Sequence, residues 1–299
     1  MATTYVLYNL NAGHRTKVEE VHHLRGALNE ETEFIDITRV KSYKVFFDGL
    51  VPEDSVVVCG GDGTLNRFVN DTDGIDFKNK IFYYPLGTGN DFATDLGFAK
   101  GCEPFDVTEY IKNLPYVTVN GKKYRFINGI GYGIDGYCCE VGDELKKTSD
   151  KPVNYTSIAI KGLLFHYKPT KATVTVDGVS HTYKKVWLAP TMNGRFYGGG
   201  MMPTPDQNRR NGMLSVMVLH GSGKLKTLVV FPSIFKGEHV KHNEMVSVLG
   251  GHEITVEFDR PTALQIDGET ILGVKSYTAV FPTEENNGRC KSEPAEQLA

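Results

Sequence analysis

The stretch Val56-Val57-Val58-Cys59-Gly60-Gly61-Asp62-Gly63-Thr64-Leu65-Asn66 sets an apolar, β-branched run directly before three glycines, an aspartate and a threonine. Leu65, Phe68 and Val69 then recur at helical spacing, so the segment predicts strand, tight turn and helix. Glycine lets a backbone approach a ligand with no Cβ in the way, and peptide N–H groups at a helix N-terminus form a cradle for phosphate. Gly60, Gly61, Gly63, Thr64 and Asn66 are therefore candidate contacts to a nucleotide. Asp62 would repel a bare anion. It fits such a loop if a Mg2+ mediates, or if its oxygens hold the loop by accepting backbone N–H groups. Taken alone, the segment reads equally well as a glycine turn with no ligand.

A second loop has the same build. Ile81-Phe82-Tyr83-Tyr84 reads as a buried strand and runs into Pro85-Leu86-Gly87-Thr88-Gly89-Asn90-Asp91-Phe92. Asn90 or Asp91 is a competent N-cap for a helix through Phe92, Ala93 and Leu96. In an open parallel sheet, loops at the carboxyl ends of neighbouring strands meet over one crevice. Gly87, Thr88 and Asn90 thus join the candidate nucleotide contacts. Neither loop matches the Walker A pattern or Gly-x-Gly-x-x-Gly, which removes the standard P-loop and dinucleotide readings.

Gly60-Gly61-Asp62-Gly63-Thr64 together with Pro85-Leu86-Gly87-Thr88-Gly89-Asn90-Asp91-Phe92 resembles the diacylglycerol kinase catalytic-domain family. That family includes soluble bacterial diacylglycerol kinases and the related sphingosine and ceramide kinases. NAD kinases share the first motif; the pair is more specific, and the resemblance extends over most of residues 4 to 281. It implies ATP and Mg2+, with Asp62 organising the nucleotide-metal site and serving catalysis. It also implies nucleotide contacts from Asn9, in Asn9-Leu10-Asn11-Ala12-Gly13, where relatives have Asn-Pro-x-Ser-Gly, and from Thr38. On the substrate side it points to Asp91, Asp135 (in Asn128-Gly129-Ile130-Gly131-Tyr132-Gly133-Ile134-Asp135), Asn193 and Asp267. In Leu264-Gln265-Ile266-Asp267-Gly268-Glu269 it makes Glu269 the base that takes the proton from the acceptor hydroxyl. Local pattern alone would make the same segment a hairpin with two surface acids. Asn211-Gly212 stands where bacterial relatives carry an Asp-Gly pair that helps hold a structural Mg2+. Asn211 keeps one oxygen ligand and loses the charge, so a hard cation would bind more weakly there.

The elements that must position these groups change character along the chain. Thr4 to Leu10 and Phe34 to Thr38 read as strands, with a helical stripe at Val18, Val21, Leu24 and Leu28 between them. Phe105, Val107, Tyr110, Ile111 and Leu114 predict a helix stopped by Pro115. From there the period becomes two. Hairpins are predicted around Asn120-Gly121 and Asp177-Gly178, and strands at Leu214 to Leu219, Met245 to Leu249, Ile254 to Phe258 and Ala263 to Ile266. The expected fold is an α/β N-terminal domain with an open, mainly parallel sheet (1–116), and a β-rich, sandwich-like C-terminal domain (117–282). The two lobes would enclose a cleft, and residues 283–299 would form a disordered tail.

Composition narrows the partners. The 299 residues carry a formal net charge of -3, which gives no global bias toward nucleic acid. The pairs Lys146-Lys147, Lys184-Lys185 and Arg209-Arg210 read as solvated faces. No signal peptide or membrane span is legible, and five cysteines without a C-x-x-C pair favour reduced thiols in a cytoplasmic protein. The expected function is ATP-dependent phosphorylation of a lipid hydroxyl at a membrane surface, with peripheral attachment and a homodimer left open. The apolar stretch Leu225 to Phe235, flanked by lysines, could lie on that surface; the plainer reading is an amphipathic helix packed on its own sheet. NAD kinase activity, or a non-catalytic lipid- or nucleotide-binding relative, are the alternatives.

Overall fold

The computed structural model describes residues 2–9, 21, 24, 28, 31–148, 153 and 155–283. The expected helical stripe at 18–28, Gly13 and the tail from 284 onward therefore lie mostly or wholly outside the described residues.

Five strands form the first sheet: β1 (Thr4–Tyr8), β2 (Thr32–Asp36), β3 (Ser55–Gly60), β4 (Lys80–Pro85) and β5 (Phe105–Asp106). Their order is β2-β1-β3-β4-β5, parallel except for the last pair. Val56, Val58, Ile81 and Tyr83 are fully buried on it, beneath Leu65 and Phe68 of helix α2 (Asp62–Asp71) and Phe92 of helix α3 (Asp91–Asp95). Helix α1 (Tyr43–Asp48) adds Tyr43 and Phe47 to the same core. Because strands β1 and β3 are neighbours while β2 lies outside, the chain reverses direction across the sheet at that point. The loops leaving β1, β3 and β4 accordingly open on one crevice.

The second lobe is one ten-stranded sheet: β6 (Tyr116–Val119), β7 (Lys122–Arg125), β8 (Gly129–Tyr132), β9 (Thr170–Val176), β10 (Val179–Val186), β11 (Thr191–Met192), β12 (Leu214–Leu219), β13 (Val246–Gly251), β14 (Glu253–Ile266) and β15 (Glu269–Val280). Its strand pairs are antiparallel, as the expected β-rich lobe requires. Both Asx-Gly hairpins form as predicted, with φ of 49° and 75° at Asn120 and Gly121, and 46° and 83° at Asp177 and Gly178.

Several expectations are corrected. Asn90 sits at the start of α3 with φ 52° and its side chain makes no cap; Asp62 supplies the cap from another loop. Phe105 belongs to a short strand, and the helix after it, α4 (Thr108–Lys112), starts only at Thr108. Ile254 to Ile266 is one long strand, irregular between Glu257 and Leu264, rather than two. Two helices were not foreseen, α5 (Ile134–Thr148) and α6 (Tyr155–Lys161), followed by a π turn over Gly162–His166. With α7 (Lys224–Val230) they cover one side of the sheet around Trp187, Met217 and Leu163.

Candidate functional site

The two glycine loops touch each other. A Cβ on Gly87 would stand 2.7 Å from the Cα of Gly61, and Leu86 donates its N–H to Gly60 O at 2.8 Å. Only glycine on both sides allows that approach. Tyr83 Oη donates to Gly60 O at 3.0 Å, tying the first loop to the strand that launches the second. Gly63 and Thr88 are exposed in the crevice, and Thr64 is buried at the start of α2. Asn9 follows β1 at the same edge, while Thr38 sits exposed in a 3-10 turn after β2, its N–H on Asp36 Oδ1.

Asp62 bonds backbone N–H groups of the other loop. Its carboxylate accepts the N–H of Asp91 and of Phe92, both at 2.9 Å, and the Asn128 side-chain amide at 3.3 Å. It is thus a cap on α3 delivered from the first loop, satisfying two donors the helix cannot satisfy itself. Asp91 in turn accepts from Gly199 and Gly200 N–H of the second lobe, at 2.8 and 2.7 Å. Burial pushes the Asp91 pKa up to about 6, with the Asp62 charge adding to it and the two glycine N–H groups opposing.

Asp267 is the counterpart from the other side. Its Oδ2 accepts from Ile127 N at 2.6 Å and from the Asn66 amide at 2.7 Å; its Oδ1 accepts from Asn128 N and Gly129 N. Burial raises its pKa to about 6, against the pull of the three peptide donors. Asn66 also donates to Arg125 O, so the side chain one turn into α2 points to the second lobe. Glu269, two residues beyond Asp267, opens β15 and is exposed, and its neighbour Thr270 is anchored on Asp143 of α5 at 2.7 Å. The glycine loops and the Asp267–Glu269 turn are therefore joined through one hydrogen-bonded seam.

Arg209 was missed. Its side chain is only 5% exposed, pairs with Asp95 at 2.6 Å, donates to Ile127 O and Asn128 Oδ1, and lies over the Phe92 ring. Read as half of a solvated Arg-Arg pair, it is instead a buried strut between the lobes. Arg195 reaches the same Asp95 at 2.8 Å, and Arg210, the exposed partner, rests on Tyr110. No sequence signal separates Arg209 from Arg210; only the acid at Asp95, far away in the chain, does. Asn193 is buried, with its amide on Ile127 O.

Asp135 lies deeper, in the first turn of α5. It is buried, Oδ2 has no hydrogen-bond partner among the described residues, and a Cβ at Gly131 would collide with that oxygen. Burial lifts its pKa from 3.8 to about 6, with Tyr197 and Gln265 pulling it partly back. The folded state then binds more protons than the unfolded chain between those values, so stability is lost as pH rises through about 4 to 6 and stays lost above. Asp135→Asn should accordingly unfold later than the parent at pH 7.5, by up to about 3 kcal/mol, with the gap closing toward pH 4. Urea melts at the two pH values check this; a gap that is independent of pH contradicts it.

The two residues expected to hold a metal are engaged in hydrogen bonds. Asp62 spends its oxygens on peptide N–H groups, and Asn211 Oδ1 accepts from Met213 N at 2.9 Å. No group of three His, Cys, Asp or Glu side chains comes together among the described residues.

Comparison with known proteins decides the lineage. Residues 3–117 match the diacylglycerol kinase catalytic domain, and residues 128–284 match the YegS C-terminal NAD kinase beta sandwich-like domain. Over more than half of its length the chain belongs to the YegS C-terminal NAD kinase beta sandwich-like family, and it carries a diacylglycerol kinase catalytic domain ahead of it. It is 27% identical over 199 residues to a diacylglycerol kinase of Mycobacterium tuberculosis, covering 64% of this chain and 63% of that one. The chain thus spans somewhat less than two thirds of that relative's length. A diacylglycerol kinase of Bacillus subtilis is 25% identical over 223 residues, covering 72% of this chain and 71% of its own. The crystal structure of a diacylglycerol kinase from Bacillus anthracis shares the fold over 93% of this chain and 94% of its own, with a TM-score of 0.59 at 17% identity. Gly63, Thr88 and Glu269 are exposed groups along the seam.

Proposed function

We propose that the protein transfers the γ-phosphoryl group of Mg2+–ATP to a hydroxyl of a lipid such as diacylglycerol, a sphingoid base or ceramide. Residues 1–116 would bind the nucleotide and residues 117–282 the lipid. The observation that carries this reading is the contact between the two glycine loops, Gly61 against Gly87, at the strand ends that face the turn bearing Glu269. Phosphoryl transfer asks little covalent work of a protein; positioning and charge stabilisation dominate. The loop N–H groups and Thr64 would orient phosphates, and Glu269 would take the proton of the attacking hydroxyl. Purified protein with radiolabelled ATP, Mg2+ and a panel of lipids, with NAD as a parallel acceptor, tests the proposal. Turnover of NAD alone, or of nothing, overturns it.

Asn90 supplies a second check. It is buried with its amide on Gly87 O, and its Oδ1 is unpartnered among the described residues, so it holds the loop in shape and offers an acceptor to a ligand. Asn90→Ala should weaken ATP binding by roughly 1–3 kcal/mol. Isothermal titration with a non-hydrolysable ATP analogue measures it, and unchanged affinity would place the loop outside the site.

A further inference from the structure

The helical cover of the second lobe leaves large apolar side chains in solvent at one place. Leu225 and Val229, one turn apart on α7, are 76% and 79% exposed, and Phe165 in the π turn is 73% exposed. The two elements lie side by side, since Lys224 Nζ reaches Leu164 O at 2.9 Å. The inward side of α7 is filled by Thr227 and Val230, so Leu225 and Val229 are not needed for its packing. A lone exposed leucine means nothing, but a cluster on adjoining elements marks an interaction surface.

The charge around it names the partner. Residues 155–171 contain Lys161, Lys168 and Lys171 and no carboxylate; residues 220–237 contain Lys224, Lys226 and Lys236 and again none. Of these, Lys226 pairs with Glu244. In a chain of net charge -3, the two segments that carry the apolar cluster thus hold lysines without carboxylates, with Glu238 and Glu244 beyond them on the 3-10 side and Glu140, Asp143 and Glu144 on the packed helix α5. A second copy docked about a two-fold axis would set those lysines against each other. A bilayer carrying anionic headgroups takes both the apolar tips and the lysines.

We infer that Phe165, Leu225 and Val229, together with the exposed Lys161, Lys168, Lys224 and Lys236 of the same segments, form the face by which this protein docks on an anionic lipid bilayer. The inference rests on the reading of the protein as a lipid kinase and assigns that kinase its membrane surface. Helix α5 packs on β14 and β15 with one side and on α6 and the π turn with another, so the docking face and the strand of Glu269 share a rigid support.

The test uses the full chain, with vesicles of phosphatidylcholine doped with phosphatidylglycerol, and pure phosphatidylcholine as control. The parent should co-sediment with the doped vesicles. Leu225→Asp with Val229→Asp, and separately Lys161→Glu with Lys236→Glu, should each cut that binding at least about tenfold. Both variants should keep the parent's turnover of dioctanoylglycerol dissolved as monomer and lose turnover of long-chain diacylglycerol in vesicles. A parent that fails to bind doped vesicles, or variants that bind as well as the parent, overturns the inference. A change from dimer to monomer in the variants with vesicle binding intact overturns it too, in favour of a self-interface. If the parent turns over no lipid in any form, the kinase reading falls, and vesicle binding alone still decides the docking face.

Discussion

Glu269→Gln is expected to lower kcat by about 10²–10⁴-fold while leaving the affinity for ATP unchanged. An alcohol is a poor nucleophile, and its attack on phosphorus is helped by a carboxylate that accepts its proton. The turn at the start of β15 holds two acids in different surroundings. Asp267 is engaged with three peptide N–H groups and the Asn66 amide. Glu269 is exposed on the same turn, and the proposal gives it the proton of the acceptor. Glutamine keeps the size and polarity and removes the basicity, so the fold and the nucleotide loops should be unaffected. Steady-state kinetics with a lipid acceptor, paired with calorimetric titration of ATP, separates the two quantities. Near-parental kcat would remove Glu269 as base, and a matching loss of ATP affinity would make it a nucleotide contact.

Local chemistry made the strands, the glycine loops and the two Asx-Gly hairpins legible, because each depends on neighbours in sequence. What was illegible depends on partners far apart. The bond between Asn66 and Asp267 spans 201 positions, and nothing in either segment announces it. Asp62 could be seen to need a cation or peptide N–H groups, but finding the peptide groups required knowing that α3 begins beside it. Helix α5 carries Ile134, Cys138, Val141 and Leu145 at helical spacing and could have been found. Its glycines misled: Gly136 looks like a turn residue, yet it is there because a Cβ would strike Ala263 O of β14. Glycine for close packing and glycine for turning look the same in a sequence. The stretch Leu225 to Phe235 was expected chiefly as a helix packed on its own sheet. Val230 and Ile234 do pack, as that reading expects, while Leu225 and Val229 face solvent.

Asp267→Asn should destabilise the protein by about 2–6 kcal/mol through donors left unpaired, less the relief of a charge whose burial raises the Asp267 pKa to about 6. The carboxylate receives four donors, two on each oxygen. Asparagine retains one acceptor oxygen and presents an NH2 group to the other two donors, leaving peptide N–H or amide groups buried and unpaired. Each costs about 1–3 kcal/mol, and rotation of the amide only chooses which pair is lost. The affected donors come from Asn66 in the first lobe and from Ile127, Asn128 and Gly129 in the second, so the damage falls on the seam between them. Urea denaturation should therefore show a lower midpoint, and a broadened transition if the lobes begin to unfold separately. The kinetic outcome distinguishes anchoring from chemistry. An anchor lets the Glu269 turn drift, so stability and kcat fall together; a base would cost kcat with the midpoint unchanged. Loss of kcat at parental stability would move the proton acceptor from Glu269 to Asp267, and the two substitutions measured side by side in one lipid assay decide between them.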